Sequence, residues 1–230
     1  MKPDVVLFDI DGTLLDSVDA HAQAWVEAFT QFGYAVSFET VRPQIGKGGD
    51  QIIPTYVPPE MIKKIGQDLE AYRADLFKRV YLPRVRPFPR VRDLCVTIRQ
   101  HGQRVALASS GKKDEVAEYK RIARIADVVD METSADDAKR SKPAPDIFEA
   151  ALVKLSPLPP SRIVVVGDTT YDAIAAGKVG LKTVGLLCGG TPLQALRAAG
   201  CIAIYKSPAD LLAKFEDSPL ADVDRYEKTA

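Results

Sequence analysis

Two aspartates directly follow the first apolar run of the chain, in the stretch VVLFDIDGTLLDS from Val5 to Ser17. The four apolar residues predict a buried strand, so Asp9 and Asp11 lie where a core element ends. A buried carboxylate without a partner is costly. The stretch therefore predicts that a cation or a reacting group is held at this strand end.

Other polar groups follow later apolar runs in the same way. Ser109 follows RVALA, Lys142 opens KPAPDIF, and Asp168 and Asp172 follow IVVV within GDTTYD. Ligands of open α/β sheets bind beyond the carboxyl ends of the strands, so we expect these groups on one rim with Asp9. Carboxylates suit Mg²⁺, and a cation together with a lysine offsets phosphoryl charge. The set predicts phosphate chemistry.

Alternating strands and helices must position these residues. Nearly continuous apolar, β-branched runs predict strands that are covered on both faces, and helical periodicities lie between them. This alternation favours a doubly wound, Rossmann-like parallel α/β sheet. The predicted strands are Val5–Phe8, Arg104–Ala108, Val128–Met131, Ile163–Val166 and Thr183–Leu186, and the predicted helices include Val91–Gln100, Asp146–Leu155 and Asp172–Val179.

One region breaks the alternation. After the first motif, helical stretches at Ala20–Phe32 and Pro59–Val80 are separated by glycines and prolines, and no convincing strand is found among them. This pattern predicts an inserted α-helical cap domain at residues 17–83. Residues 1–16 and 84–230 are then expected to form the α/β core.

Composition excludes several classes of partner. The 230 residues contain 31 Lys+Arg and 31 Asp+Glu, so no net positive field favours nucleic acid or an anionic membrane. Three cysteines without CxxC spacing are typical of reduced thiols, and no apolar run has membrane-spanning length. We expect a cytoplasmic protein, monomeric or weakly dimeric. The arginines of Arg79–Arg92 are interpreted as a solvated connection, and the polar stretch from Asp217 onward is predicted to fray.

Four motifs carry a family resemblance. In order and spacing, DIDGTLLDS, the serine of LASS, KPAPDIF and VVVGDTTYD resemble the motifs of the haloacid dehalogenase-like hydrolase superfamily. The helical insertion resembles the subgroup with an α-helical cap, which includes phosphoglycolate phosphatases and β-phosphoglucomutases. The resemblance spans nearly the whole chain. It implies a Mg²⁺-dependent phosphatase that hydrolyses a small phosphorylated metabolite, phosphoglycolate-like or sugar-phosphate-like, through an aspartyl-phosphate.

The resemblance also implies a role for each motif residue. Asp9 would be the nucleophile. Asp11 would protonate the leaving oxygen and then activate water, and its side chain, off the metal and beside another acid, is expected to hold a proton. Asp9, the carbonyl of Asp11 and Asp168 would bind Mg²⁺, while Ser109 and Lys142 would hold the phosphoryl group.

Further candidates surround this set. Asp172 would be an outer partner of the metal or of the motif lysine, and Gly12 permits a tight turn that exposes backbone N–H groups to the anion. Ser110 is a candidate for substrate binding or for the start of a helix. In the cap stretch IGKGGD, Lys47 lies in a flexible turn or contacts the non-phosphate end of the substrate. His21 packs in the cap or contacts substrate.

Two other functions rank below hydrolysis. A phosphomutase of the β-phosphoglucomutase type shares the core chemistry, and His21 resembles its histidine. However, glycines of GKGGD stand about where the phosphate-gripping arginine of such mutases lies. A non-enzymatic phospho-receiver also gathers acids, a hydroxyl and a lysine at strand ends, but the helical insertion would then be unexplained.

Overall fold

The computed structural model describes residues 1–229, and a parallel sheet forms the centre of the molecule. The strands are β1 (Val5–Phe8), β2 (Leu15–Asp16), β3 (Arg86–Pro87), β4 (Arg104–Ala108), β5 (Met131–Thr133), β6 (Ile163–Gly167), β7 (Lys182–Leu186) and β8 (Cys201–Tyr205). Six of them form one sheet in the order β5-β4-β1-β6-β7-β8, with parallel pairing throughout. In this order β4 lies on one side of β1 and β6 lies on the other. The direction in which strands are added to the sheet therefore reverses at β1, and ligands of such sheets bind at this switch point.

Helices cover both faces of this sheet. Side chains of a strand alternate between faces. Val6 and Phe8 of β1 pack in the apolar cluster that contains Leu94, while Val5 and Leu7 pack in the cluster on the opposite face. The predicted doubly wound, Rossmann-like core is confirmed. The α-helices are α1 (Val18–Gln31), α2 (Phe38–Val41), α3 (Gly49–Tyr56), α4 (Pro59–Leu76), α5 (Val91–Gln100), α6 (Lys113–Ala123), α7 (Asp146–Leu155), α8 (Thr170–Gly177), α9 (Leu193–Ala198) and α10 (Pro208–Ala213).

Helices α1 to α4 form a third apolar cluster, inserted between β2 and β3. Trp25 and Phe29 of α1, Ile52 of α3 and Leu69 of α4 lie at its centre. The two connections to the core run side by side, because β2 and β3 pair antiparallel. The fold thus contains the predicted helical cap, whose boundaries at residues 17–83 stay a prediction. No helix within residues 1–229 is both long enough and apolar enough to span a bilayer.

Several elements differ from the prediction. The strand expected at Val128–Met131 is wrong in position, because β5 starts only at Met131 and the amides of Val128 and Val129 bond to Ile125 in a turn. β8 was missed, although its apolar run CIAIY follows a glycine. The start of α6 was considered near Ser110, but the helix itself over Lys113–Ala123 was not predicted.

The expectation of fraying from Asp217 onward is also wrong for the first residues of that stretch. Leu220 and Val223 are buried in the core cluster. The carbonyl of Leu220 accepts a hydrogen bond of 2.9 Å from the buried amide of Gln103. Two apolar side chains in a polar stretch suffice to fix it to the core.

Candidate active site

Lys142 joins three strand ends in one buried network. Its side chain is fully buried, and its Nζ lies 2.6 Å from Oδ1 of Asp9, 2.7 Å from Oδ1 of Asp172 and 2.9 Å from the carbonyl of Ala108. Asp172 is held in turn by Thr169, whose hydroxyl and amide donate to its Oδ2 at 2.7 and 3.1 Å. The sequence motifs after β1, β4 and β6 therefore meet, as predicted.

Asp168 is fixed beside this network. The carboxylate is buried, and its Oδ1 accepts a hydrogen bond of 3.0 Å from the hydroxyl of Thr13. Two glycines make room for it. A Cβ on Gly12, which has φ +82°, would lie 2.3 Å from Oδ2 of Asp168, and a Cβ on Gly189 would lie 1.7 Å away. Neither position tolerates a side chain while Asp168 keeps its place.

Three carboxylates are crowded together here. Oxygens of Asp9, Asp168 and Asp172 lie within 4.8 Å of one another. Burial raises the pKa of Asp9 to about 7, although the charge of Lys142 opposes the shift. Burial, followed by the charge of Asp9, raises the pKa of Asp168 well above its ordinary value. A divalent cation relieves such crowding of negative charge, and the all-oxygen donor set suits Mg²⁺. The residues thus fit the predicted ion.

Asp11 has a different environment. Its Oδ1 accepts a hydrogen bond of 2.5 Å from the hydroxyl of Ser17 and lies 3.0 Å from Nε2 of His21. The imidazole stacks on Phe77 at a centroid distance of 3.9 Å. Burial alone would raise the pKa of Asp11, but the charge of His21 and both hydrogen bonds outweigh it, so the pKa is lowered. The donors thus shift the pKa of Asp11 in the direction opposite to the one that the expectation of a held proton implies, because they favour its charged form.

The predicted phosphoryl-binding residues lie at the same rim. Ser109 is buried directly after β4, and its Oγ accepts a hydrogen bond of 3.0 Å from the amide of Gly111. Ser110 reaches the cap loop, with its Oγ 3.5 Å from the carbonyl of Gly46. The N–H of Gly12 donates to the carbonyl of Leu15 at 2.8 Å. Gly12 therefore provides the turn, while its own N–H is engaged within that turn.

The cap loop is bonded to the core next to Lys142. The amide of Gly48 donates to Oγ of Ser141 at 2.8 Å. Ser141 in turn donates from its hydroxyl and its amide to Asp50, at 2.5 and 3.0 Å. A Cβ on Gly48 would approach the Cβ of Ser141 to 2.8 Å. The structure thus holds the cap closed over the acidic cluster.

The geometry can now be set beside known proteins. The family model for haloacid dehalogenase-like hydrolases matches residues 6–186 of this chain. The chain belongs to this family.

Relatives of this hydrolase differ in length. A phosphoglycolate phosphatase of Vibrio parahaemolyticus is 30% identical over 201 residues, which cover 83% of this chain and 88% of that protein. SUPPRESSOR OF QUENCHING 1, a chloroplastic protein of Arabidopsis thaliana, is 32% identical over 190 residues, which cover 80% of this chain but 18% of that protein. The crystal structure of a hydrolase from Pseudomonas syringae has a TM-score of 0.82 and 27% identity, covering 93% of this chain and 98% of the other. The predicted phosphoric monoester hydrolase is confirmed at the level of the family.

A cleft between cap and core leads to the carboxylates of Asp9 and Asp11. It has a volume of about 40 Å³ and is bordered by Asp9, Asp11, His21, Lys47 and Ser110 among the predicted residues. The structure adds walls that were not among the predicted site residues. These are Trp25 and Arg73 from the cap, and Gly111, Glu115 and Tyr119 from the core. A prediction of α6 would have placed Glu115 and Tyr119 beside Ser110, whereas no local pattern marks Arg73.

Proposed function

We propose that this chain is a Mg²⁺-dependent phosphatase that hydrolyses a small phosphorylated metabolite through an aspartyl-phosphate on Asp9. The observation that supports this most strongly is the contact of 2.6 Å between Asp9 and Lys142, within the cluster of buried carboxylates. A nucleophile, a countercharge and a set of cation ligands thus share one site. The three unpaired cysteines are in keeping with a cytoplasmic enzyme.

Asp9, the backbone carbonyl of Asp11 and Asp168 would hold Mg²⁺, and Asp172 has a carboxylate within reach of the same ion. When bound, the ion supplies positive charge for the phosphoryl oxygens and keeps the ligating carboxylates ionised. Thr13, Gly12 and Gly189 limit the movement of Asp168. Preorganised ligands cost little rearrangement when charge develops during the reaction.

The Asp9 carboxylate attacks phosphorus, and the bond from phosphorus to the ester oxygen breaks. Lys142 lies beside Asp9, where its ammonium offsets charge on the transferring group. Burial would lower the pKa of Lys142, but the charges of Asp172 and Asp9 outweigh it, so the ammonium is retained. Ser109 is placed to donate to a phosphoryl oxygen. Water then attacks the same phosphorus and releases Asp9.

Asp11 is the group that handles protons. The leaving oxygen needs a proton in the first step, and the attacking water must lose one in the second. His21 lies 3.0 Å from the Asp11 carboxylate and orients it toward the cleft. General acid–base catalysis of this kind supplies about 10²–10⁴-fold.

The closed cap protects the intermediate. Contacts of the Gly48–Asp50 loop with Ser141 lie at the edge of the cleft, and opening them would admit substrate. Closing excludes bulk water and strengthens the electrostatic interactions inside. The Vibrio relative is named for phosphoglycolate, and the small cleft is in keeping with a compact substrate.

A screen of phosphorylated metabolites for phosphate release tests this proposal. We expect release from at least one short ester, loss of release after EDTA treatment, and recovery with Mg²⁺. Isomerisation of β-glucose 1-phosphate is measured in parallel, since a phosphomutase would convert this compound without net hydrolysis. Phosphate release that EDTA does not reduce would contradict the proposed role of Mg²⁺. The absence of phosphate release from every ester, p-nitrophenyl phosphate included, would contradict the whole proposal.

A further inference from the structure

One cationic side chain at the cleft has a donor without an acceptor. Arg73, on α4, borders the cleft that reaches Asp9 and Asp11. Its Nε is buried and makes no hydrogen bond within the described residues. Buried donors in native proteins nearly always have a partner, so an unpaired one calls for an explanation. Since the same guanidinium borders the cleft, an anionic group of a ligand there would be its partner.

The ring of Trp25 fixes the orientation of this arginine. Its guanidinium carbon lies 4.9 Å from the centroid of the Trp25 ring, and Trp25 is itself buried against Phe29. A guanidinium stacked on a ring keeps its N–H donors in its own plane, directed away from the ring. The planar fork of an arginine matches a carboxylate or a phosphate in two parallel hydrogen bonds.

The other charged groups of the cleft are already engaged. Lys47 donates from Nζ to Oε1 of Gln44 at 2.6 Å, and the same ammonium lies 4.7 Å from the centroid of the Tyr171 ring. Glu115 accepts a hydrogen bond of 3.1 Å from the amide of Lys112 at the start of α6. His21 faces Asp11. Among the described residues, Arg73 is therefore better placed than Lys47 to bind an anionic group of a ligand.

We propose that Arg73 binds a carboxylate at the end of the substrate opposite the phosphoryl group, so that the substrate is a short phosphorylated acid. The inference rests on the proposed function, because it assumes that the phosphoryl group lies at Asp9. The cleft volume of about 40 Å³ compares with about 10–15 Å³ for one water molecule by the same measure. With the cap closed, a short acid fits this space better than a hexose phosphate.

The test compares two esters that differ only at this end. We expect the wild type to hydrolyse 2-phosphoglycolate with a kcat/KM on the order of 10- to 100-fold above that for 2-hydroxyethyl phosphate, the range for a charge-assisted hydrogen bond. Arg73→Gln should remove most of this preference, chiefly by lowering kcat/KM for the acid. Arg73→Lys keeps the charge without the planar fork and should give an intermediate ratio.

Arg79→Gln is the matched control. Arg79 is exposed and paired with Asp75, outside the cleft, so the ratio of the two kcat/KM values should equal that of the wild type. Ethane-1,2-diol bisphosphate is the third substrate, with a second phosphate in place of the carboxylate. A higher kcat/KM for this compound than for the acid would overturn the assignment of a carboxylate.

Equal kcat/KM for the acid and the neutral ester in the wild type would overturn the role of Arg73, whether or not its variants fold. The wild type and Asp9→Asn are also assayed on p-nitrophenyl phosphate. Hydrolysis that depends on Asp9 without a preference for the acid removes only the Arg73 proposal. Absence of hydrolysis removes the proposed function and this inference together.

Discussion

The cleft has a core wall, which includes Asp9, Asp11 and Ser110, and a cap wall, which includes Lys47 and Arg73. The two walls differ in how completely their polar groups have partners within the protein. Behind the core wall, the fully buried Lys142 contacts Asp9 of that wall, Asp172 and the carbonyl of Ala108. On the cap wall, the Nε of Arg73 has no acceptor within the described residues. The core wall is therefore held by its own contacts before substrate arrives, while the proposed partner of Arg73 on the cap wall is an anionic group of the substrate. The difference suggests that the core fixes the reaction and the cap selects the substrate.

Removal of Lys142 should have the largest effect. Lys142→Met leaves Asp9 and Asp172 without their countercharge, and breaking a buried pair costs about 3–5 kcal/mol of unfolding free energy. We expect a fall in the melting temperature of roughly 6–20 °C and a loss of roughly 10²–10³ in kcat. Thermal unfolding and steady-state kinetics measure the two effects. Lys139→Met, on an exposed neighbour, is the control, and full activity of Lys142→Met would show that the core wall is not the source of the chemistry.

A methyl group at Gly189 should weaken Mg²⁺ binding without replacing any functional side chain. The added Cβ would lie 1.7 Å from Oδ2 of Asp168, so the carboxylate must move. We expect the Mg²⁺ concentration for half-maximal activity to rise on the order of 10- to 100-fold, as in disturbed metal sites generally. Gly177→Ala is the control, since its Cβ meets nothing within 4 Å. An unchanged Mg²⁺ requirement in Gly189→Ala would contradict the role of Asp168 as a metal ligand.

The crowded carboxylates should make stability depend on pH and Mg²⁺ together. In the metal-free protein the pKa of Asp9 is about 7, against 3.8 for the free side chain, and the pKa of Asp168 is also raised. The folded state then binds more protons than the unfolded state, so stability falls as pH rises from about 4 through about 7. Mg²⁺ at about 100 times its Kd should raise the melting temperature by on the order of 5–10 °C at pH ~8.

The same addition of Mg²⁺ at pH ~5 should raise the melting temperature by a clearly smaller amount, because protons then compete with the ion for the carboxylates. Differential scanning fluorimetry with Mg²⁺ and with matched ionic strength of NaCl provides the measurement. An equal or larger increase at the lower pH would contradict the proposed ligand set.

Loss of the cap contact at Asp50 should have the smallest effect. Asp50→Ala removes the acceptor for the hydroxyl and the amide of Ser141, two hydrogen bonds at an exposed edge. We expect KM to rise about 2- to 10-fold with kcat nearly unchanged, because such bonds contribute about 0.5–1.5 kcal/mol each. Asp68→Ala, an exposed acid elsewhere on the cap, should match the wild type. A fall in kcat with constant KM would assign this cap contact to the chemistry instead.

The sequence predicted the acidic residues at the strand ends of the core but not Arg73 of the cap, for a physical reason. Asp9, Ser109 and Asp168 follow strands of one parallel sheet, and the shared register of such strands brings their carboxyl ends to one edge. Arg73 reaches the cleft only through the packing of α4 against α1, which no local pattern encodes. The need for a residue without a side chain at position 189, next to Asp168, likewise depends on contacts between distant loops.

Asp11 shows the same limit within a well-predicted motif. Its neighbour Asp9 is two residues away in the sequence, and that proximity led to the expectation of a held proton. The donors that reverse the shift, Ser17 and His21, become neighbours only when α1 starts beside the first strand. Sequence spacing thus indicated which acids come together but not the direction in which the pKa of each one shifts.

A covalent intermediate on Asp9 is the claim on which this account depends. We would mix the protein with Mg²⁺ and an ester labelled in its phosphoryl group, quench in acid within the first turnover, and map the labelled peptide by mass spectrometry. The account predicts label on the Asp9 carboxylate that hydroxylamine releases, with none in Asp9→Asn. Turnover without a labelled aspartate, or wild-type turnover by Asp9→Asn, would contradict it.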